Sequence, residues 1–249
     1  MQEYTPAPNI LKQRIILVTG AGDGIGAATA KTFARYGATV ILLGRTIRKL
    51  EAVYDAIEQS GAPQPAIYPM NLEGASPKDY SDLAETVDRE FGRLDGLLHN
   101  AAILGTLTPL EMYDLELWTK VMQVNLNAPY LLTRACLPLL KKSDDASVVF
   151  TSSAVGHKGR AYWGAYGISK AAAENMMQTL ADELEQNTPI RVNSIDPGAV
   201  RTRMRARAYP GEDPNINPAP DEIMNRYLYL MGADSKGETG KSFKAQEKN

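Results

Sequence analysis

The chain alternates short apolar runs with longer amphipathic stretches. A continuous apolar run at 15–18 suits a strand buried on both faces of a parallel sheet. Glycines at 20, 22, 24 and 26 end it. Residues 25–36 then read as a helix, with Gly37 as its stop. The same rhythm repeats. Strands are predicted at 38–43, 66–70, 94–99, 147–151 and 190–195, and helices at 45–60, 79–91, 115–140 and 165–185. Pro129 falls inside the 115–140 pattern and predicts a kink or break. After 195 the pattern is loop-like to Pro220, followed by a short helix at 222–231 and a seventh strand near 241–245. No repeat, low-complexity tract or interdomain linker interrupts it. Strands alternating with helices argue for βα units around a parallel sheet.

Composition narrows the function without naming it. The chain has 249 residues, 44% hydrophobic and 22% charged, the profile of one ordinary globular domain. A net charge of −2 gives no pull toward nucleic acid or an anionic membrane. No apolar stretch is long enough to span a bilayer, and the polar, proline-bearing start at 1–9 has no signal-peptide pattern, so a cytoplasmic location is expected. Cys136, the only cysteine, sits in an apolar run and reads as a buried inert thiol.

The glycine turn carries the first chemistry. Backbone without Cβ atoms lets N–H groups approach a ligand closely, and the following helix N-terminus favours an anion. From the strand end the spacing is Thr19-Gly20-x-x-x-Gly24-x-Gly26, with Gly22, Asp23 and Ile25 between. This resembles the single-domain branch of the short-chain dehydrogenase/reductase family. The extended branch has T-G-x-x-G-x-x-G, which Asp23 breaks.

Further motifs follow in the family's order. Tyr166-Gly-Ile-Ser-Lys170 puts Tyr and Lys on one helix face, Ser153 lies thirteen residues earlier, and Asn125 lies in Val124-Asn125-Leu126. These resemble the family's Asn–Ser–Tyr–Lys set, which implies catalytic roles for Asn125, Ser153, Tyr166 and Lys170. The resemblance gives Tyr166 as proton carrier and Lys170 as a cation that lowers its pKa and bonds the nicotinamide ribose. It gives Ser153 as donor to the substrate oxygen, preferred over Ser152, and Asn125 as holder of a water leading from Lys170 to solvent. His99-Asn100-Ala101-Ala102 resembles N-N-A-G, placing Asn100 and Ala101 against a ribose. Asn71-Leu72 occupies the family's adenine position, with Asn71 accepting a bond and Leu72 offering its N–H. Pro197-Gly198-Ala199-Val200-Arg201-Thr202 resembles the P-G loop that holds the carboxamide, through Pro197, Gly198, Val200 and Thr202. A metal role for His99 is not expected, since the chain has two histidines at no useful spacing.

At the end of the second strand stands Gly44-Arg45, with Arg48 and Lys49 nearby, where an NAD enzyme offers a carboxylate. A guanidinium there pairs with a 2′-phosphate, so NADP(H) is the expected cofactor, with NAD(H) as the alternative. Longer phrases, including 34–45 and 163–166, resemble the bacterial YciK-type oxidoreductases within the family. The resemblance implies a doubly wound parallel sheet in the order 3-2-1-4-5-6-7, helices on both faces, and one NADP(H)-binding domain over 1–249. It implies hydride transfer between NADP(H) and a small carbonyl or alcohol, and a homo-oligomer, tetramer or dimer, joined through the long helices. The rival is a non-catalytic NADP(H)-binding sensor or partner protein on the same fold, which would have no use for Tyr166. The substrate pocket is expected between Ile103, Leu104, Val155, Trp163 and residues after Thr202. The basic loop 203–207 is open to two readings: a site for an acidic substrate, or a solvated face.

Overall fold

The computed structural model describes residues 4–246; residues 1–3 of the polar N-terminal stretch lie outside the described residues. Seven parallel strands form one sheet in the order β3-β2-β1-β4-β5-β6-β7, as expected. They are β1 (Ile15–Thr19), β2 (Thr39–Gly44), β3 (Ala66–Pro69), β4 (Gly96–His99), β5 (Ser147–Thr151), β6 (Arg191–Asp196) and β7 (Ser242–Lys244). The helices are α1 (Gly24–Arg35), α2 (Ile47–Gln59), α3 (Pro77–Phe91), α4 (Leu115–Met122), α5 (Ala128–Leu140), α6 (Ala154–His157), α7 (Gly164–Glu185), α8 (Arg203–Ala208) and α9 (Met224–Met231).

Alternation along the buried strands splits the core in two. Ile15 and Leu17 of β1 point to one face, with Leu83 of α3, Leu132 and Cys136 of α5 and Met177 of α7. Ile16 and Val18 point to the other, with Phe33 of α1, Leu50 of α2 and Leu228 of α9. Both faces of each central strand are covered, which is why these runs read as continuously apolar. Cys136 is fully buried, and burial pushes its thiol up to about 12.

Local chemistry moves several predicted boundaries. α3 starts at Pro77, two residues early. The Asp79 carboxylate accepts from the Ser76 N–H at 2.7 Å, and proline at the first helical position has no N–H to satisfy. α2 starts after Thr46, so Arg45 lies outside the helix. The predicted helix 115–140 is α4 and α5 joined by a π turn at Gln123–Asn127. The break therefore precedes Pro129, which sits in the first turn of α5, and the proline inside a helix is Pro138. The predicted loop to Pro220 contains α8, capped by Thr202 Oγ1 accepting from the Arg205 N–H at 3.2 Å. Among the described residues no helix is long and apolar enough to cross a membrane.

Candidate functional site

The carboxyl ends of the strands open into one cleft of about 410 Å³, the usual position for a ligand in an open α/β sheet. Its floor is the turn after β1. Thr19 Oγ1 accepts from the N–H groups of Asn100 and Ala101 at 2.9 and 3.0 Å, and the Asn100 amide donates to Thr19 O at 3.1 Å. These bonds tie the end of β1 to the end of β4. Gly20 turns at φ +68° with Ala101 directly against it, so the turn needs glycine there. A Cβ at Gly24, φ +51°, would project toward Thr202 across the cleft at 3.4 Å.

Gly26 does not line the cleft. A Cβ there would fall 2.2 Å from Gly20 O and 2.6 Å from Asn100 Nδ2. Its role is to let α1 pack against the turn. Gly22 admits α2 in the same way, since a Cβ would meet Lys49 Cβ at 2.9 Å.

Asp23 caps α1, accepting from the Gly24 N–H at 2.9 Å. It also pairs with Lys49 at 3.0 Å and with Arg203 at 2.6 Å. Partial burial alone would raise its carboxyl; the two cations outweigh that and hold it below the usual carboxylate range. The acid at this position is thus covered by positive charge from α2 and α8.

Arg45 is exposed on the cleft wall, and among the described residues no carboxylate pairs with it. Gly44 beside it packs on Leu50, whose Cδ2 would lie 3.1 Å from an added Cβ. Asn71 and Leu72 line the same end, with Asn71 Oδ1 accepting from the Glu73 N–H at 3.3 Å. At the opposite end lie Pro197, Gly198, Val200 and Thr202. Gln246 holds that loop by donating to Pro197 O and Ala199 O at 2.7 and 2.8 Å.

Ser153, Tyr166 and Lys170 all line the middle of the cleft. The first two turns of α7 put Lys170 Nζ 5.7 Å from the Tyr166 ring centroid. Lys170 is buried and donates to Thr151 O at 2.6 Å. Burial lowers its amine to about 8, against the pull of Glu174 and Asp196. Burial pushes the Tyr166 phenol up to about 12, with the Ser153 hydroxyl lowering it and Asp196 raising it further. Asn125 is not on the cleft surface. It lies in the π turn, where Oδ1 accepts from the Ile103 N–H at 2.8 Å and Nδ2 donates to Ile103 O at 3.0 Å and Ser169 Oγ at 3.1 Å. A π turn offsets the helix register by one residue, and here it aims this amide at the loop after β4.

His99 is buried, stacked on Phe150 with centroids 4.6 Å apart and bonded to Thr133 at 2.7 Å. Burial, with Lys170 adding to it, lowers its pKa to about 3. It is a neutral core group.

Residues 14–213 match the short chain dehydrogenase family. The chain belongs to that family. It is 51% identical to the oxidoreductase YciK of Escherichia coli K12, over 98% of this chain and 96% of that protein. A short chain dehydrogenase from Pseudomonas syringae superposes with a TM-score of 0.97 at 59% identity, covering 99% of this chain and 100% of that one. A short chain dehydrogenase from Escherichia coli CFT073, complexed with NADPH, superposes with a TM-score of 0.95 at 52% identity, covering 97% of this chain and 100% of that one.

As a short chain dehydrogenase, this chain brings together the sequence-predicted site residues except Gly26 and Asn125, which stand behind the cleft wall. Val155, expected in the substrate pocket, is not on the wall but faces Gly167 of α7. Sequence reasoning missed the Thr19 hydroxyl, the pairing of Asp23 with Arg203, and Gln246. Each acts through a partner 47 or more residues away, and no local motif signals such a pair. Tyr209, at the end of the unpredicted α8, was missed for the same reason.

Proposed function

We propose that the chain, as one domain, transfers a hydride between NADP(H) and a carbonyl or alcohol substrate. The observation that carries this reading is the union in one cleft of the Tyr166–Lys170 pair, Ser153 and the glycine turn after β1. The residues present fit the cofactor. The Gly24 position leaves room that a Cβ would fill; among the described residues Arg45 has no carboxylate partner and the buried Ser152 hydroxyl has no hydrogen-bond partner. The NADPH-bound relative supports the same choice. When bound, the cofactor supplies or accepts the hydride.

Arg45 would hold the 2′-phosphate and the α1 N-terminus with Gly20, Gly22, Asp23, Gly24 and Ile25 the diphosphate. Asn71 and Leu72 would meet the adenine, and Asn100 and Ala101 its ribose. Pro197, Gly198, Val200 and Thr202 would meet the carboxamide. Tyr166, kept protonated by burial, donates to the carbonyl oxygen in reduction and takes the proton back in oxidation. Ser153 donates to the same oxygen as charge develops. Lys170, when charged, stabilises the phenolate and bonds the nicotinamide ribose. Asn125 holds the Ile103 loop and α7 in register through its three bonds.

Tyr166→Phe tests the reading. NADPH binding, followed by fluorescence, is expected to persist while turnover of a carbonyl panel falls by about 10² or more. Near-normal turnover would overturn the mechanism. A second copy of the chain is the expected partner. Ile168 of α7 and Tyr130 of α5 are exposed apolar groups on the long helices, and light scattering showing a monomer at micromolar concentration would remove that expectation.

A further inference from the structure

The part of the cleft beyond Tyr166 is apolar and aromatic. Ile103 and Leu104 come from the loop after β4, Trp163 from the turn before α7, and Met204, Ala208 and Tyr209 from α8 and its end. Trp163 stands between two rings, its centroid 5.8 Å from Tyr166 and 6.0 Å from Tyr209. An aromatic wall therefore runs outward from the phenol.

Three of the arginines of this region, Arg160, Arg203 and Arg205, are already engaged. Arg203 pairs with Asp23 at 2.6 Å. Arg205, which lines the cleft along with Arg203, grips both oxygens of Glu212, with Nε at 2.6 Å from Oε2. Asn217 holds the same carboxylate at 2.8 Å, and the Arg205 guanidinium lies 3.8 Å from the Tyr209 ring centroid. Arg160 donates to the Tyr209 hydroxyl at 2.8 Å. Arg207 is exposed and off the cleft wall. The basic stretch 203–207 is thus not uniform: Arg205 is matched one to one by Glu212, Arg203 shares Asp23 with Lys49, and Arg207 lies off the wall. Arg205 braces the wall, with its fork of donors filled by Glu212 and its face filled by Tyr209.

We propose that this end of the cleft takes an uncharged carbonyl compound with an apolar, ring-bearing body, and that the Arg205–Glu212 pair disfavours carboxylated ones by leaving them no free guanidinium. The proposal rests on the function proposed above. A ring laid on Trp163 loses its hydration to apolar surface and gains ring–ring contact. A carboxylate brought to the same place sheds water and meets Glu212 behind an occupied arginine.

The test compares benzaldehyde, 4-carboxybenzaldehyde and glyceraldehyde with the full chain and NADPH. Benzaldehyde is expected to exceed each of the others in kcat/KM by about tenfold or more, the scale of pocket discrimination. Glu212→Gln, which frees Arg205, is expected to narrow the gap between the two aromatic aldehydes. Trp163→Ala is expected to lower kcat/KM more for benzaldehyde than for glyceraldehyde. Binding is read separately in the Trp118→Phe background, as quenching of Trp163 fluorescence in the NADPH-loaded protein. There benzyl alcohol should bind more tightly than 4-carboxybenzyl alcohol. Turnover that favours glyceraldehyde or the carboxylated aldehyde overturns the proposal and leaves the hydride-transfer reading standing. Selective binding of benzyl alcohol with no carbonyl turned over supports the pocket assignment and overturns the reading of function. Absence of both overturns the pocket assignment.

Discussion

Replacing Gly26 by alanine tests how the glycine turn is held, apart from what it binds. Two effects oppose one another. Alanine in place of glycine inside a helix favours the fold by about 1 kcal/mol through propensity and chain entropy. Against this, the new Cβ would sit 2.2 Å from Gly20 O and 2.8 Å from Gly20 C. Ordinary carbon contacts lie at about 3.5–4 Å, so α1 or the turn must move by more than about 1 Å. Overpacking typically costs about 1–3 kcal/mol, and the upper end applies because the obstacle is backbone and not a side-chain tip. The net expectation is a loss of about 2 kcal/mol, or roughly 4–8 °C in Tm for a chain of this size.

Thermal melts and NADPH titrations of purified protein provide the assay. Gly74→Ala is the control, because a Cβ there meets nothing within 4 Å and the backbone is not left-handed, so its Tm should stay within about 2 °C. Gly24→Ala separates the two roles. Its strain at φ +51° costs about 1–2 kcal/mol, and its Cβ enters the cleft itself. NADPH affinity should therefore fall further than its Tm would suggest. A Gly26→Ala protein with wild-type Tm and unchanged NADPH affinity would refute the packing argument.

Other outcomes follow from the same geometry. Arg45→Ala should remove most of the preference for NADPH over NADH, and wild-type preference should shrink as salt rises because the residue is exposed; Gly44→Asp should push preference toward NADH, and equal wild-type affinities at low salt would contradict the assignment. Lys170→Met should lower turnover by about 10² and alter the pH dependence of stability. Burial holds the folded-state amine at about 8, below its usual 10.5, so the unfolded chain carries the extra proton between those values and wild-type stability climbs with pH there, by at most about 1.4 kcal/mol per pH unit. The variant should lack that climb in denaturant melts at both ends of the window, and parallel curves would count against a neutralised lysine. Gln246→Ala removes two bonds to the carbonyls of Pro197 and Ala199, each worth about 1 kcal/mol, and should raise the KM for NADPH several-fold; an unchanged KM would show that the loop holds itself.

What could be read from the sequence was whatever repeats locally. Each buried strand announced itself as an apolar run because helices cover both faces of the sheet, and the glycine spacing marked the turn because only small residues let α1 and α2 approach it. Tyr166 and Lys170 were legible because one helical turn brings them together. The π turn was not. Pro129 pointed to a break, but a π turn needs no particular residue, and its position is set by Asn125 bonding Ile103 and Ser169 from other elements. α8 was missed because Arg-Met-Arg-Ala-Arg carries no apolar stripe; it is held by the Thr202 cap and the Arg205–Glu212 pair.

Arginine shows most plainly why a residue type underdetermines its role. Arg45 and Arg205 both line the cleft, and a charge count treats them alike. Arg45 has no carboxylate partner among the described residues, so its charge acts outward on whatever enters. Arg205 is neutralised by Glu212 and stacked on Tyr209, so its contribution is to hold an aromatic wall in place. Lys49 and Arg203 lie between these extremes, sharing Asp23 at the mouth of the turn. The cleft is therefore polarised: Arg45, without a carboxylate partner among the described residues, at the end near β2, and the matched Arg205–Glu212 pair with its rings at the end near α8. An anionic group gains more by lying beside Arg45 than beside the matched Arg205–Glu212 pair. The same gradient that favours a phosphorylated cofactor in one orientation leaves the opposite end for an uncharged reactant beside Tyr166.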